Sequence, residues 1–137
     1  MLESLLEKYD FGFMDGGSYI FAQALQEILK DNDKKSELII FGRDLTDYYV
    51  GLKVIVKKDS SVEFLSAIGC RTEFYFKREL MELEMPPGTK YNQLRIRNFE
   101  EADARHNIID EKLSMKIAAE IQAKHKINLD ALLDALQ

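Results

Sequence analysis

Cysteine is nearly absent: Cys70 stands alone among 137 residues. One thiol can neither close an internal disulfide nor build a cysteine-based zinc centre, so the fold must be held by packing, and a reducing compartment is the expected setting. Histidine is scarce too, with two residues. His106 and His125 both sit among charged neighbours, and a site using both would need carboxylates brought in by folding; no metal and no cofactor is expected. Two prolines, seven glycines and no low-complexity tract argue against extended disorder. No apolar run approaches the roughly 20 residues of a membrane span. The opening Met1-Leu2-Glu3-Ser4-Leu5-Leu6-Glu7-Lys8 carries acids where a secretory leader is basic and apolar. The expectation is a cytoplasmic chain without membrane contact. No phosphate-binding Gly-x-x-x-x-Gly-Lys loop and no dinucleotide fingerprint occurs. A basic excess is missing as well: 19 Lys and Arg face 24 Asp and Glu, a net charge of −5. That argues against nonspecific binding to nucleic acid or anionic membrane.

What is present is an ordinary globular composition, 46% apolar and 31% charged, in a length that suits one domain with a real core. Leu2, Leu5, Leu6 and Tyr9 have helical spacing. Three glycines in Asp10–Gly17 break it. Ser18–Lys30 predicts a strong helix, with Ile20, Phe21, Ala24, Leu25, Ile28 and Leu29 on one stripe. Glu37–Gly42 and Tyr48–Val56 read as strands, and Lys57–Ser61 as a hairpin loop. Val62–Leu65 returns as a third strand that Ser66–Gly69 ends. Thr72–Glu84 alternates at Phe74 and Phe76 but repeats helically at Phe76, Leu80 and Leu83; its length and its Glu, Lys and Arg content favour helix. Met85-Pro86-Pro87-Gly88 is a break, and Tyr91–Arg97 reads as a further strand. Leu113, Ile117 and Ile121 mark a helix, and Asn128 is placed as the N-cap of a last one carrying Leu129, Leu132, Leu133 and Leu136. The fold class is α+β: N-terminal helices on a small antiparallel sheet, then C-terminal helices. Residues 1–137 form a single domain, with a mixed core over 10–84 and a helical extension over 85–137.

Asp15-Gly16-Gly17-Ser18-Tyr19-Ile20-Phe21-Ala22-Gln23-Ala24-Leu25 resembles the nucleophile segment of papain-like proteins, especially short domains among bacterial toxins, where Gly-Gly-Cys precedes an Ala-rich apolar helix. In that family the cysteine opens a buried helix whose N-terminus lowers the thiol pKa and stabilises an oxyanion. The resemblance implies a second element, a histidine opening a strand, and a third, an aspartate before Gly at the end of the next hairpin. In this chain Ser18 stands at the nucleophile position, Tyr48 or Tyr49 at the base position and Ser66 at the orienting position. All three depart from the family's chemistry, because serine needs a strong general base that tyrosine and serine do not supply. The resemblance therefore implies a non-catalytic domain of bacterial or phage type. Gly16, Gly17, Tyr19 and Tyr48 would line a groove that binds a protein, as adaptor, inhibitor or immunity-type partner. The alternative is a hydrolase or transferase with Ser18 as nucleophile or in place of a native cysteine. Read without the family, Ser18 is an N-cap.

Three further features carry two readings each. Cys70, beside Arg71, is a reactive thiol or a small buried hydrophobe. Lys53, Lys57, Lys58, Arg71, Lys77, Arg78, Lys90, Arg95 and Arg97 interleave with Tyr and Phe, which is a nucleic-acid patch or a solvated mixed-charge face. Glu73, Glu79, Glu82 and Glu84 favour the mixed face. The C-terminal apolar stripes complete the core or form a groove-binding or homodimer interface.

Overall fold

The computed structural model describes residues 18–43, 49–66, 69–83 and 87–137. The expected helix at Leu2–Tyr9, the glycine break before Ser18, and the groove residues Gly16, Gly17 and Tyr48 lie outside the described residues.

Helix α1 spans Ser18–Asp31. Its apolar stripe is buried as the periodicity requires, with Ile20, Phe21, Ala24, Leu25, Ile28 and Leu29 all within the core. Strands β1 (Glu37–Gly42), β2 (Tyr49–Ile55) and β3 (Val62–Ser66) follow. They agree with the sequence reading, β1 as a short continuous apolar run and β2 by its alternation, each bounded by turn residues. The expectation that Ser66–Gly69 ends the third strand is half right. Ser66 pairs with Gly69, and the chain returns as β4 (Gly69–Thr72). Gly69 has φ +109°, a value that side-chain-bearing residues rarely adopt. Helix α2 (Glu73–Leu83) then takes the ambiguous segment as helix. A 3₁₀ turn at Tyr91–Gln93 precedes β5 (Arg95–Asn98), and a second 3₁₀ stretch, Glu101–His106, leads to α3 (Glu111–Lys124) and α4 (Lys126–Ala135). The expected strand Tyr91–Arg97 is thus shorter and starts later than its alternation implies.

The strands form one antiparallel sheet in the order β4-β3-β2-β1-β5. Because side chains alternate across a sheet, it has two cores. One face packs Leu52, Val54 and Leu65 against α1, with Ile117, Ala118 and Ile121 of α3 and Leu129 and Leu136 near the chain's end. The other packs Ile39, Phe41, Tyr49 and Phe64 under Phe76 and Leu80 of α2. Gly51 lies beneath that second core: a Cβ there would sit 3.3 Å from Leu65 O and 3.5 Å from the Phe76 ring.

The C-terminal stripes therefore complete the α1 core. Residues 85–137 also carry a strand of the sheet, since β5 pairs with β1, and Val56 bridges Leu136 beyond the end of β2. Asp110 caps α3, its carboxylate accepting from Leu113 N at 3.0 Å. The buried Ser114 hydroxyl donates to Ile20 O at 2.9 Å, joining α3 to the first turn of α1. Asn128 is not the N-cap of the last helix. α4 starts at Lys126 after the single residue His125, whose N–H bonds Ile121 O and whose carbonyl accepts from Leu129 N, both at 2.9 Å. His125 itself takes the N-cap position, with no side-chain cap bond.

Candidate functional site

Ser18 opens α1 beside β2 and is 3% exposed. Its Oγ accepts from Val50 N at 2.9 Å. The β2–β3 ladder runs from Leu52 to Ile55, and Val50, beyond it, gives its N–H to the serine instead. The hydroxyl thus supplies an acceptor to a buried backbone donor, a demand that must be met somewhere. It joins helix to sheet, rather than serving as an N-cap within its own helix.

The other two expected site residues lie elsewhere. Tyr49 belongs to the second core, its ring 6.3 Å from that of Phe76. Ser18 bonds to the strand from the α1 side, so the sheet separates the two side chains. Ser66 is buried at the end of β3, two residues from Phe64 and therefore on the Phe76 face as well. The structure does not bring Ser18, Tyr49 and Ser66 together. Tyr19, expected in a groove, is half-buried and stacks on Phe99 with centroids 5.2 Å apart. Burial first, and the Glu111 carboxylate second, raise its phenol above the ordinary value.

Cys70 pairs with Leu65 across β3–β4, and its thiol donates to Glu63 Oε1 at 3.5 Å. Burial pushes the thiol up to about 12, and the Glu63 charge adds to it; Arg71 opposes them but is bonded to Glu79 at 2.9 Å. A group that is protonated at neutral pH is not a nucleophile. Alkylation at pH 8 should therefore be on the order of a hundredfold or more slower in the folded protein than in urea, where the thiol has its ordinary value of about 8.5. Glu63→Gln should accelerate it. Equal folded and unfolded rates would show that this environment is wrong.

Sequence reasoning missed the most exposed aromatic group among the described residues. Phe74 (51% exposed) and Tyr75 (59%) begin α2, and Tyr91 lies on the following 3₁₀ turn. The Phe74 ring is 5.3 Å from Tyr75 and 5.6 Å from Tyr91. Arg78 lies 5.8 Å from the Phe74 centroid and Lys77 Nζ 5.4 Å from that of Tyr91. The signal was available once helix was chosen: Phe76 and Leu80 share the inward stripe, which leaves Phe74, Tyr75 and Arg78 outward.

The basic segment is partly neutralised, by Arg71–Glu79 at 2.9 Å, Lys77–Glu73 at 3.6 Å and Arg97–Asp103 at 2.7 Å. Two cavities, of about 700 and 360 Å³, are lined by none of Ser18, Tyr19, Tyr49 or Ser66. Among the described residues, no group of three or more His, Cys, Asp or Glu is placed to hold a metal ion, and no helix is long and apolar enough to cross a membrane. No family model, curated protein or solved structure matches the chain.

Proposed function

We propose that this chain is a non-catalytic domain of papain-like type that acts by binding another protein. The observation that carries the first half is the Ser18–Val50 bond at 2.9 Å. The hydroxyl is buried and accepts from a backbone donor, and among the described residues no His, Asp or Glu side chain is hydrogen-bonded to it as a general base. The binding half is supported by Phe74, Tyr75, Tyr91 and Arg78, whose residue types dominate the energetically important centres of protein interfaces. They stand outside the core, so their exposure is not required by folding.

One set of variants tests both halves. Wild-type protein and Ser18→Cys should turn over no peptide, amide or ester substrate. Ser18→Ala should lose about 1–3 kcal/mol of stability, the cost of leaving a buried N–H unsatisfied. In affinity capture from the source cell, a partner held by wild-type protein should be lost by Phe74→Ala/Tyr75→Ala with no change in melting temperature. Substrate turnover abolished by Ser18→Ala, or a captured partner indifferent to the aromatic pair, would overturn the proposal.

A further inference from the structure

The larger cavity lies where α1 ends and the sheet begins. It is lined by Lys30, Lys34, Lys35 and Lys53 against Glu27 and Glu37. A chain of net charge −5 thus gathers four ammonium groups and two carboxylates around one opening. Among the described residues, none of these lysines is in an ion pair. Nor are they needed to cap α1. Asn32 Nδ2 donates to Ile28 O at 2.8 Å, Lys34 N to Leu29 O at 2.8 Å and Asp33 N to Lys30 O at 3.1 Å, so the last-turn carbonyls already have partners. Four lysines against two carboxylates give this opening a net positive charge that an anionic ligand would complement.

The rest of the lining is Gln26 and Ser36 with the aliphatic Val54, Ile55 and Val62. Ile55 and Val62 face each other across β2–β3 and stay 44% and 43% exposed. The smaller cavity shares both Lys53 and Val62 with the larger one and continues to Phe64, Ile96, Arg97 and Glu73, the last of which is paired with Lys77 at 3.6 Å. The two openings therefore meet at Lys53 and Val62, which gives a groove rather than a single socket. An elongated groove with cations at one end and aliphatic carbon along its middle fits an extended chain carrying carboxylates and apolar side chains. It has no aromatic ring at the lysine end on which a base could stack.

We infer that this groove takes an extended acidic segment of a protein partner. Its carboxylates rest on Lys30, Lys34, Lys35 and Lys53, and an aliphatic side chain lies against Ile55 and Val62. The inference rests on the protein-binding reading but uses a surface separate from the Phe74–Tyr75 cluster.

The test is fluorescence anisotropy with a labelled peptide of alternating glutamate and leucine, added to the full chain. Saturable binding is expected. It should weaken about tenfold or more in Lys30→Glu/Lys53→Glu, fall as salt rises, and vanish when glutamine replaces glutamate in the peptide. Val62→Asp should weaken it too, and Phe74→Ala/Tyr75→Ala should leave it unchanged. Lys30→Glu/Lys35→Glu, which alters only exposed positions, serves if the Lys53 change lowers the melting temperature. No saturable binding, or binding equal in the charge-reversed proteins, overturns the inference. So does a single-stranded oligonucleotide that binds through the same lysines while the peptide does not. If the peptide fails while partner capture still depends on Phe74 and Tyr75, the groove assignment falls and the protein-binding reading stands.

Discussion

Phe76→Ala is expected to lower stability by about 3–5 kcal/mol, the usual cost of removing a buried aromatic ring and leaving its cavity. Phe76 is wholly buried. Its ring lies 5.5 Å from Phe41, 6.3 Å from Tyr49 and 5.3 Å from Phe64. It is the residue through which α2 closes one face of the sheet, and among the described side chains of that helix Leu80 is the other fully buried anchor. A domain of this size has about 5–15 kcal/mol in total, so the loss removes a large part of it. The measurement is urea unfolding, read as a fall in midpoint at unchanged slope. Phe76→Leu should cost less, because most of the volume remains. Tyr75→Ala, one position away but facing water, should stay within about 0.5 kcal/mol. A Phe76→Ala loss as small as that of Tyr75→Ala would show that α2 does not dock on this face.

Gly51→Val should cost about 1–3 kcal/mol, through overpacking. The space for a Cβ is bounded by Leu65 O at 3.3 Å, Phe76 Cζ at 3.5 Å and Ile39 Cδ1 at 3.6 Å. The first is backbone and cannot swing aside, and valine's two methyl groups would extend into the ring. Gly51→Ala meets the same atoms with less to fit and should cost less. The decisive measurement is a double-mutant cycle. In Phe76→Ala the removed ring leaves room for valine, so the two losses should sum to more than the double mutant shows. Strict additivity would place the obstruction elsewhere. Since valine is a better strand former than glycine, a destabilising result also separates packing from propensity.

Much of the fold was legible because its signals are local. The stripe Ile20, Phe21, Ala24, Leu25, Ile28, Leu29 has a helical period, and α1 spans Ser18–Asp31. Val50, Leu52 and Val54 alternate, and they do face α1. Thr72–Glu84 held both periods at once, and the decision for helix followed from its Glu, Lys and Arg content. The return strand β4 was not legible. Gly-Cys-Arg-Thr has no apolar alternation, and it is a strand because β3 offers it an edge. Asn128 looked like a cap by type, but whether a cap is needed depends on what the preceding turn already bonds.

The site was less legible. Ser18 starts α1 beside β2. The family pattern could not say which side of the sheet Tyr49 takes. A residue's face depends on strand register, which pairing and packing fix, and one step along a strand reverses it. The lysine groove combines residues from α1, the turn after it, β2 and β3, which no window of sequence joins.

The sequence by itself determined the α+β class, the positions of the main helix and of strands β1 to β3, and the absence of any disulfide. All of these follow from composition or from periodicity within a few residues. Only the tertiary structure decided that Ser18 serves Val50, that Tyr49 and Ser66 lie across the sheet from it, and that four lysines share one opening. Those are distances between residues far apart in the chain, set by how two cores pack on opposite faces of a single sheet.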